Sequence, residues 1–158
     1  MKISLLADCP NEAKDIAEWY FQEWAHKDPQ ATLESVTEKV LLGANRTELP
    51  VTFVMHINNE LSGAGELKYR ELPEYPGYYY WLDGIYVPSI HRGKGISTEL
   101  IEFAKSKVIE LNLSGLYLRC DSHKVKLYEA RDFQTVRIEE GKFIMEYLVN
   151  TDAPQGYQ

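Results

Sequence analysis

Val87-Pro88-Ser89-Ile90-His91-Arg92-Gly93-Lys94-Gly95-Ile96-Ser97 joins the most aromatic stretch of the chain to its clearest helical pattern. Upstream, residues 78–87 (YYYWLDGIYV) are aromatic and β-branched, which predicts a long strand. Downstream, Leu100, Ala104, Val108 and Leu111 recur at helical spacing, widened by Ile101 and Phe103, and predict a helix over 96–111. Glycine at the junction permits positive φ and close approach of backbone to a ligand. The unpaired N–H groups of a helix's first turn, at the positive end of its dipole, suit an anion such as pyrophosphate. Arg92 and Lys94 add positive charge beside Gly93 and Gly95. The phosphate loop GxxxxGK[ST] is absent, and Thr98 stands where a dinucleotide fingerprint needs its third glycine. Taken alone, the two glycines serve equally well as a plain turn between strand and helix.

The patterns on either side place this junction in a longer order. Residues 2–7 alternate as a first strand, and Ala13, Ile16, Ala17, Tyr20 and Trp24 mark an apolar stripe on a helix over 12–26, stopped by Asp28-Pro29. Thr32 is a candidate N-cap for a second helix bearing Leu33, Val36, Val40 and Leu41. Residues 51–57 and 61–69 read as a hairpin about Asn58-Asn59. After the helix, Leu116, Leu118 and Cys120 alternate as a strand, Val125 to Ala130 suits a short helix, and 133–138 with 142–149 suits a final hairpin about Glu140-Gly141. The string β-α-α-β-β-β-α-β-α-β-β predicts a layered α/β (α+β) fold with a mixed, mostly antiparallel sheet flanked by helices. Neither repeat nor linker breaks it, so residues 1–150 are expected as one domain, with 151–158 as a flexible C-terminal tail.

The stretch V-x-P-x-x-x-R-G-x-G-I, here Val87 to Ile96, resembles the cofactor motif of the GNAT superfamily of N-acetyltransferases, and the element order resembles that fold. Leu127-Tyr128-Glu129-Ala130-Arg131-Asp132-Phe133 is similar to the family's L-Y-E-x-x-G-F signature. Leu49-Pro50, Trp81-Leu82 and Tyr86-Val87-x-Pro also look like a bacterial subgroup of that family, which narrows the fold and not the acceptor. Four positions depart from the pattern. Ile90 stands where Gln or Arg is frequent, Ser97 where a third glycine is frequent, Asp132 at the signature's glycine, and Asp121 where an asparagine often precedes the second motif.

The resemblance implies an enzyme that moves the acetyl group of acetyl-CoA to a primary amine. Backbone groups of Ile85, Tyr86 and Val87 would pair with pantetheine, and amides of Arg92, Gly93, Lys94, Gly95, Ile96 and Ser97 would hold the pyrophosphate. Tyr128 would be the general acid that protonates the departing thiolate, because a phenol stays protonated at neutral pH. Asp83, between Trp81-Leu82 and the pantetheine strip, is the first candidate for the base, with Glu66 or a water chain as alternatives. Tyr75, Tyr78, Tyr79, Tyr80 and Trp81 serve either as core packing or as an acceptor pocket, with Glu71 and Glu74 attracting a cation. Trp19 and Trp24 read first as core and second as a wall of that pocket. A non-catalytic acyl-CoA sensor is the competing function.

A net charge of −7 over 158 residues argues against nucleic-acid binding and tolerates a cationic amine substrate. His26, His56, His91 and His123 share no metal-ligand spacing, so no metal is expected. Cys9 and Cys120 form no CxxC unit, and Cys120 reads as core filler. Without a secretory leader or a long apolar run, a cytoplasmic protein with no membrane association is expected. The long aromatic strands and final hairpin make a homodimer reasonable.

Overall fold

The computed structural model describes residues 1–149, so the tail expected over 151–158 lies outside the described residues. The elements are β1 (Lys2–Leu5), α1 (Ala13–Glu23), α2 (Leu33–Leu41), β2 (Val51–Ile57), β3 (Glu60–Tyr69), β4 (Tyr80–Tyr86), α3 (Ile96–Glu110), β5 (Gly115–Asp121), α4 (Val125–Glu129), β6 (Gln134–Glu139) and β7 (Lys142–Leu148). Their order is the one expected from the sequence. They build a seven-stranded sheet in the order β1-β2-β3-β4-β5-β7-β6. Neighbours are antiparallel except β4 and β5, which are parallel and joined through α3.

Local chemistry sets the element ends. Thr32 caps α2 by accepting from the Ser35 amide at 3.0 Å, while Ser35 accepts from the Thr32 amide at 2.9 Å, a capping box. Asn58 and Asn59 both take positive φ, as do Glu140 and Gly141, the geometry of tight two-residue hairpin turns. The first helix is shorter than its apolar stripe implies. It stops at Glu23, and a 3-10 turn over Ala25–Lys27 carries the chain to Asp28.

Alternation sorts side chains to the two faces of the sheet. Phe53, Met55, Leu67, Leu82, Leu116, Leu118 and Met145 pack under α3 and α4. Val54 and Ala64 face the other way and are covered by Ile16, Ala17, Tyr20, Val36 and Val40 of α1 and α2. Farther along this second face, α1 and α2 no longer reach. There Trp81, Tyr117 and Ile144 are covered by Leu72, Tyr75 and Tyr78 from the loop before β4. Tyr78 stacks on Tyr117 with ring centroids 4.1 Å apart. This packing accounts for much of the aromatic cluster noted in the sequence: it plugs the sheet.

Two irregularities in β4 shape everything that follows. First, β4 and β5 meet at a single residue pair, Trp81 and Tyr117, and then diverge. Second, the pairing of β3 with β4 slips between Ala64 and Glu66: Glu66 lies opposite Asp83, but Ala64 lies opposite Tyr86. The extra residue is a bulge centred on Gly84, whose φ is +63°. It changes the phase of the strand. Leu82 faces α3 and Trp81 the opposite layer, yet after the bulge it is Ile85 and Val87 that join the α3 core while Tyr86 packs with α1.

Candidate active site

Diverging from β5 leaves one edge of β4, from Asp83 onward, facing a cleft instead of a neighbour. The cleft opens over three adjoining hollows. At one end, a 260 Å³ hollow is bordered by Val87, Arg92, Gly93, Gly95, Ile96 and Ser97. A middle space of 420 Å³ touches Ile85, Tyr86, Val87, Arg92, Ser97 and Trp24. The far end, 430 Å³, is bordered by Asp83, Gly84, Ile85, Arg119, Cys120 and Tyr128, among others. The sequence-predicted residues are thus strung along one groove. Lys94 is the exception, for it borders none of the three and points to His91, with Nζ 3.2 Å from Nδ1.

The loop end combines two left-handed glycines with an uncapped helix start. Gly93 and Gly95 have φ of +81° and +80°, and no atom lies within 4 Å of where a Cβ would stand on either. Gly95 precedes α3 without any side-chain cap, which leaves the first-turn amides of this 15-residue helix available. Arg92 donates through Nε to the Val87 carbonyl at 3.0 Å, curling the loop back on its strand. His91 is buried and its Nε2 lies 2.7 Å from Glu60 at the β2–β3 turn. That tie crosses 31 positions of sequence, and no spacing signal announces it. These features fit the diphosphate of coenzyme A, and the unpaired edge of Ile85 to Val87 fits the amides of a pantetheine arm, by the logic of strand addition.

The bulge is held from below. Tyr20 of α1 donates to the Gly84 carbonyl at 2.7 Å. Burial, reinforced by Glu66 and Asp83, pushes the Tyr20 phenol well above its ordinary value, so it stays a donor. A Cβ on Gly84 would stand 2.5 Å from the Tyr20 hydroxyl and 3.0 Å from a Glu66 oxygen. Neither Gly84 nor Tyr20 carried a functional signal in sequence beyond a lone glycine inside a strand pattern, which often marks a bulge.

Tyr128 is buried at the far end, its ring edge-on to Phe133 at 5.7 Å. Burial, with a smaller contribution from Cys120, drives its phenol far above the ordinary tyrosine value. It therefore remains protonated across the working pH range. The Cys120 thiol is likewise raised by burial and lies 3.8 Å from the Met145 sulfur, as expected of core filler. The two candidate bases sit side by side on the second face of the sheet but in different states. Asp83 is ion-paired with Arg70, and Lys68 Nζ lies 4.0 Å away. Glu66 is 6% exposed, with Lys68 Nζ at 3.3 Å. Burial raises the Glu66 carboxyl above its ordinary value, and Lys68 opposes the shift only in part. Both carboxylates border a 370 Å³ hollow between α1, α2 and the sheet, where Trp24 and Gly84 also reach. Trp24 thus lines this hollow and two of the groove's three, whereas Trp19 stacks on Tyr86 at 5.3 Å.

Residues 11–133 match the family model described as the acetyltransferase (GNAT) family. The chain belongs to that family. A GNAT protein of this kind is an acyltransferase that uses acetyl-CoA as co-substrate. No curated protein matches it in sequence. Among solved structures, it is similar to an aminoglycoside 6'-N-acetyltransferase complexed with coenzyme A, at 18% identity and a TM-score of 0.71, covering 94% of this chain and 97% of that one. The aminoglycoside 6'-N-acetyltransferase from Enterococcus faecium, also 18% identical, gives a TM-score of 0.68 over 94% and 97% of the two chains. A ribosomal-protein-alanine N-acetyltransferase from Brucella melitensis, 17% identical, gives 0.70 over 94% and 100%. At these identities the likeness shows the fold.

The departures from the GNAT pattern have local explanations. Asp132 takes the left-handed φ of +75° that the signature's glycine would take, and its carboxylate meets Lys105 Nζ at 2.7 Å. Asp and Asn tolerate that region better than other side chains. Asp121 is ion-paired with Lys142, which holds its carboxyl below the usual range. Ile90 is exposed and takes no part in the loop's hydrogen bonds.

Proposed function

We propose that this GNAT protein acetylates a primary amine by direct attack, with Tyr128 as general acid and Glu66, beside Asp83, as the group that accepts the amine's proton. The observation that carries the reading is the groove that joins the uncapped α3 terminus, the free edge of β4 and the side chain of Tyr128. Acetyl-CoA supplies an activated acetyl group: the N–C bond forms as the C–S bond breaks, the amine loses one proton and the sulfur gains one. Amides of residues 92–97 bind the diphosphate. Ile85, Tyr86 and Val87 align the pantetheine arm, and an N–H at the Gly84 bulge is available to polarise the thioester oxygen. Tyr128 donates to the sulfur, and its raised pKa keeps that proton in place until it is needed.

Asp83 was the leading base on sequence grounds, and the ion pair with Arg70 argues for the neighbouring carboxylate instead. The Asp83 carboxylate is committed to Arg70, while the desolvated Glu66 has a pKa raised toward that of a useful base. Activity should therefore rise with pH as Glu66 loses its proton, at a midpoint above the ordinary glutamate value. Glu66→Gln should flatten that limb in kcat/KM, and Asp83→Asn should preserve it. The reverse result would return the role to Asp83, and two intact profiles would assign it to water.

The same shift affects stability. The folded protein binds a proton at Glu66 more tightly than the unfolded chain does. Stability from this group is full below the unfolded value and is lost as pH rises through the folded one. Thermal denaturation at pH 4.5 and pH 8 should show Glu66→Gln gaining on the wild type at the higher pH.

Acetyl-CoA binding is the first experiment. At 100 times its Kd it should stabilise by about 2.7 kcal/mol, a rise of roughly 5–10 °C in Tm for a domain of this size. An unmoved transition would remove the acyltransferase reading. Thiol release over a panel of amines then distinguishes turnover from mere binding.

A further inference from the structure

The groove's far end is more basic than the protein as a whole. The chain carries a net charge of −7, yet Arg70, Arg119, Lys124 and Lys142 all border this one hollow. Glu23, Asp83 and Asp121 border it as well, and two of the cations are paired with the aspartates. Arg70 pairs with Asp83, and Lys142 pairs with Asp121. Lys124 also borders the middle of the groove, on the pantetheine side. Arg119 touches only the far end, and among the described residues it makes no ion pair.

Its position is set by the sheet. On β5 it alternates with Leu118 and Cys120, which face the α3 core, and so it shares the second face with Tyr117. It stands beyond the Trp81–Tyr117 junction, where β4 and β5 have parted, and so projects at the mouth of the split. Asp83, Gly84 and Trp24 border both this hollow and the one that holds Glu66. An acceptor lying across that ridge presents one end to Glu66 and the other to Arg119.

We infer that the acceptor is a small amine carrying an anionic oxygen group, a carboxylate or a phosphate, which Arg119 binds while the amine reaches the thioester beside Gly84. This rests on the acyltransferase reading and narrows its substrate. A guanidinium presents a rigid fork that matches such groups in bidentate fashion. Positive charge near the amine also lowers the amine's pKa, which favours the neutral form that attacks. A polycation gains less from this arrangement: a further ammonium group would face Arg119 and find Asp83 and Asp121 already paired, with Glu23 alone left to meet it.

The test uses matched acceptors on the whole enzyme with acetyl-CoA, followed by thiol release. Each pair differs only in the anionic group: amino acids and dipeptides against their carboxamides, phosphoethanolamine against ethanolamine, with spermidine and kanamycin as polycations. The anionic member of at least one pair should be preferred about 10- to 100-fold in kcat/KM, chiefly through KM, the range expected for a charge-assisted bond. Preference within the carboxylate pairs assigns an amino acid or peptide, and preference in the phosphate pair alone assigns a phosphorylated amine. Arg119→Gln should bring the ratio to about one, and Arg119→Lys should restore part of it. The proposal is overturned if no pair discriminates, if a polycation is the best acceptor, or if Arg119→Gln slows both members of a pair equally. Absence of stabilisation by acetyl-CoA is a different failure and would fall on the acyltransferase reading itself.

Discussion

Tyr128→Phe lowers turnover by about 100-fold, the lower end of what a positioned general acid contributes, while acetyl-CoA affinity stays within about twofold. The substitution removes one oxygen from a ring that is buried against Phe133. Packing is retained, so a fold defect is not expected to confuse the result. The loss should appear equally in kcat and kcat/KM, because the bond from phenol to sulfur strengthens only as the thiolate departs. The wild-type phenol is held far above its ordinary value by burial. Its deprotonation therefore should not limit the rate on the alkaline side, and any decline there would belong to another group. An unchanged kcat in Tyr128→Phe removes this residue from the mechanism.

The second large effect is expected at Gly84, where Gly84→Ala should lower Tm by roughly 6–10 °C and cut activity at least tenfold. Three costs combine. A non-glycine residue must take φ of +63°, which costs about 1–2 kcal/mol. The new methyl meets the Tyr20 hydroxyl at 2.5 Å, an overpacking of about 1–3 kcal/mol. The bond from Tyr20 to the Gly84 carbonyl is then lost or bent. Relief comes only by straightening the bulge, which returns Ile85 and Tyr86 to the opposite faces and moves the strip that should align pantetheine. A Gly84→Ala protein with normal Tm and normal kcat would show that the bulge is not held in this way. Tyr20→Phe offers a milder comparison, since it deletes the hydroxyl bond and makes room at the same time.

Much of the fold was legible because each element carries its own period. The apolar spacing of α3, the alternation of β5 and the Asn58-Asn59 turn are local signals, and local signals survive without knowledge of the partners. The glycine loop before α3 was legible for the same reason, as glycines and a helix start are neighbours in sequence. What escaped were features made by distant residues meeting. Tyr20 and Gly84 are 64 positions apart, and His91 and Glu60 are 31 apart. Asp83 read as the first candidate base because Arg70 is its neighbour only through the pairing of β3 with β4. The aromatic run before β4 read equally well as pocket or packing, and only its covering of Trp81, Tyr117 and Ile144 decides for packing. Net charge works at a different scale: a sum over the surface says nothing about one hollow, where Arg70, Arg119, Lys124 and Lys142 stand beside Glu23, Asp83 and Asp121.

The lone Trp81–Tyr117 contact between β4 and β5 gives the molecule a book-like construction. Strands β1 to β4 form one leaf, and β5, β7 and β6 form the other. Hydrogen-bond stiffness runs within each leaf and is interrupted at the spine. There the Tyr78–Tyr117 stack presses from one side and α3 from the other. Opening or closing the leaves by a small angle strains no ladder, yet it changes the gap between the Gly84 bulge and Tyr128 directly. The aromatic plug is in this sense the binding of the book. It sets how far the pages stand apart, and with that how bulky an acyl group and acceptor fit between them.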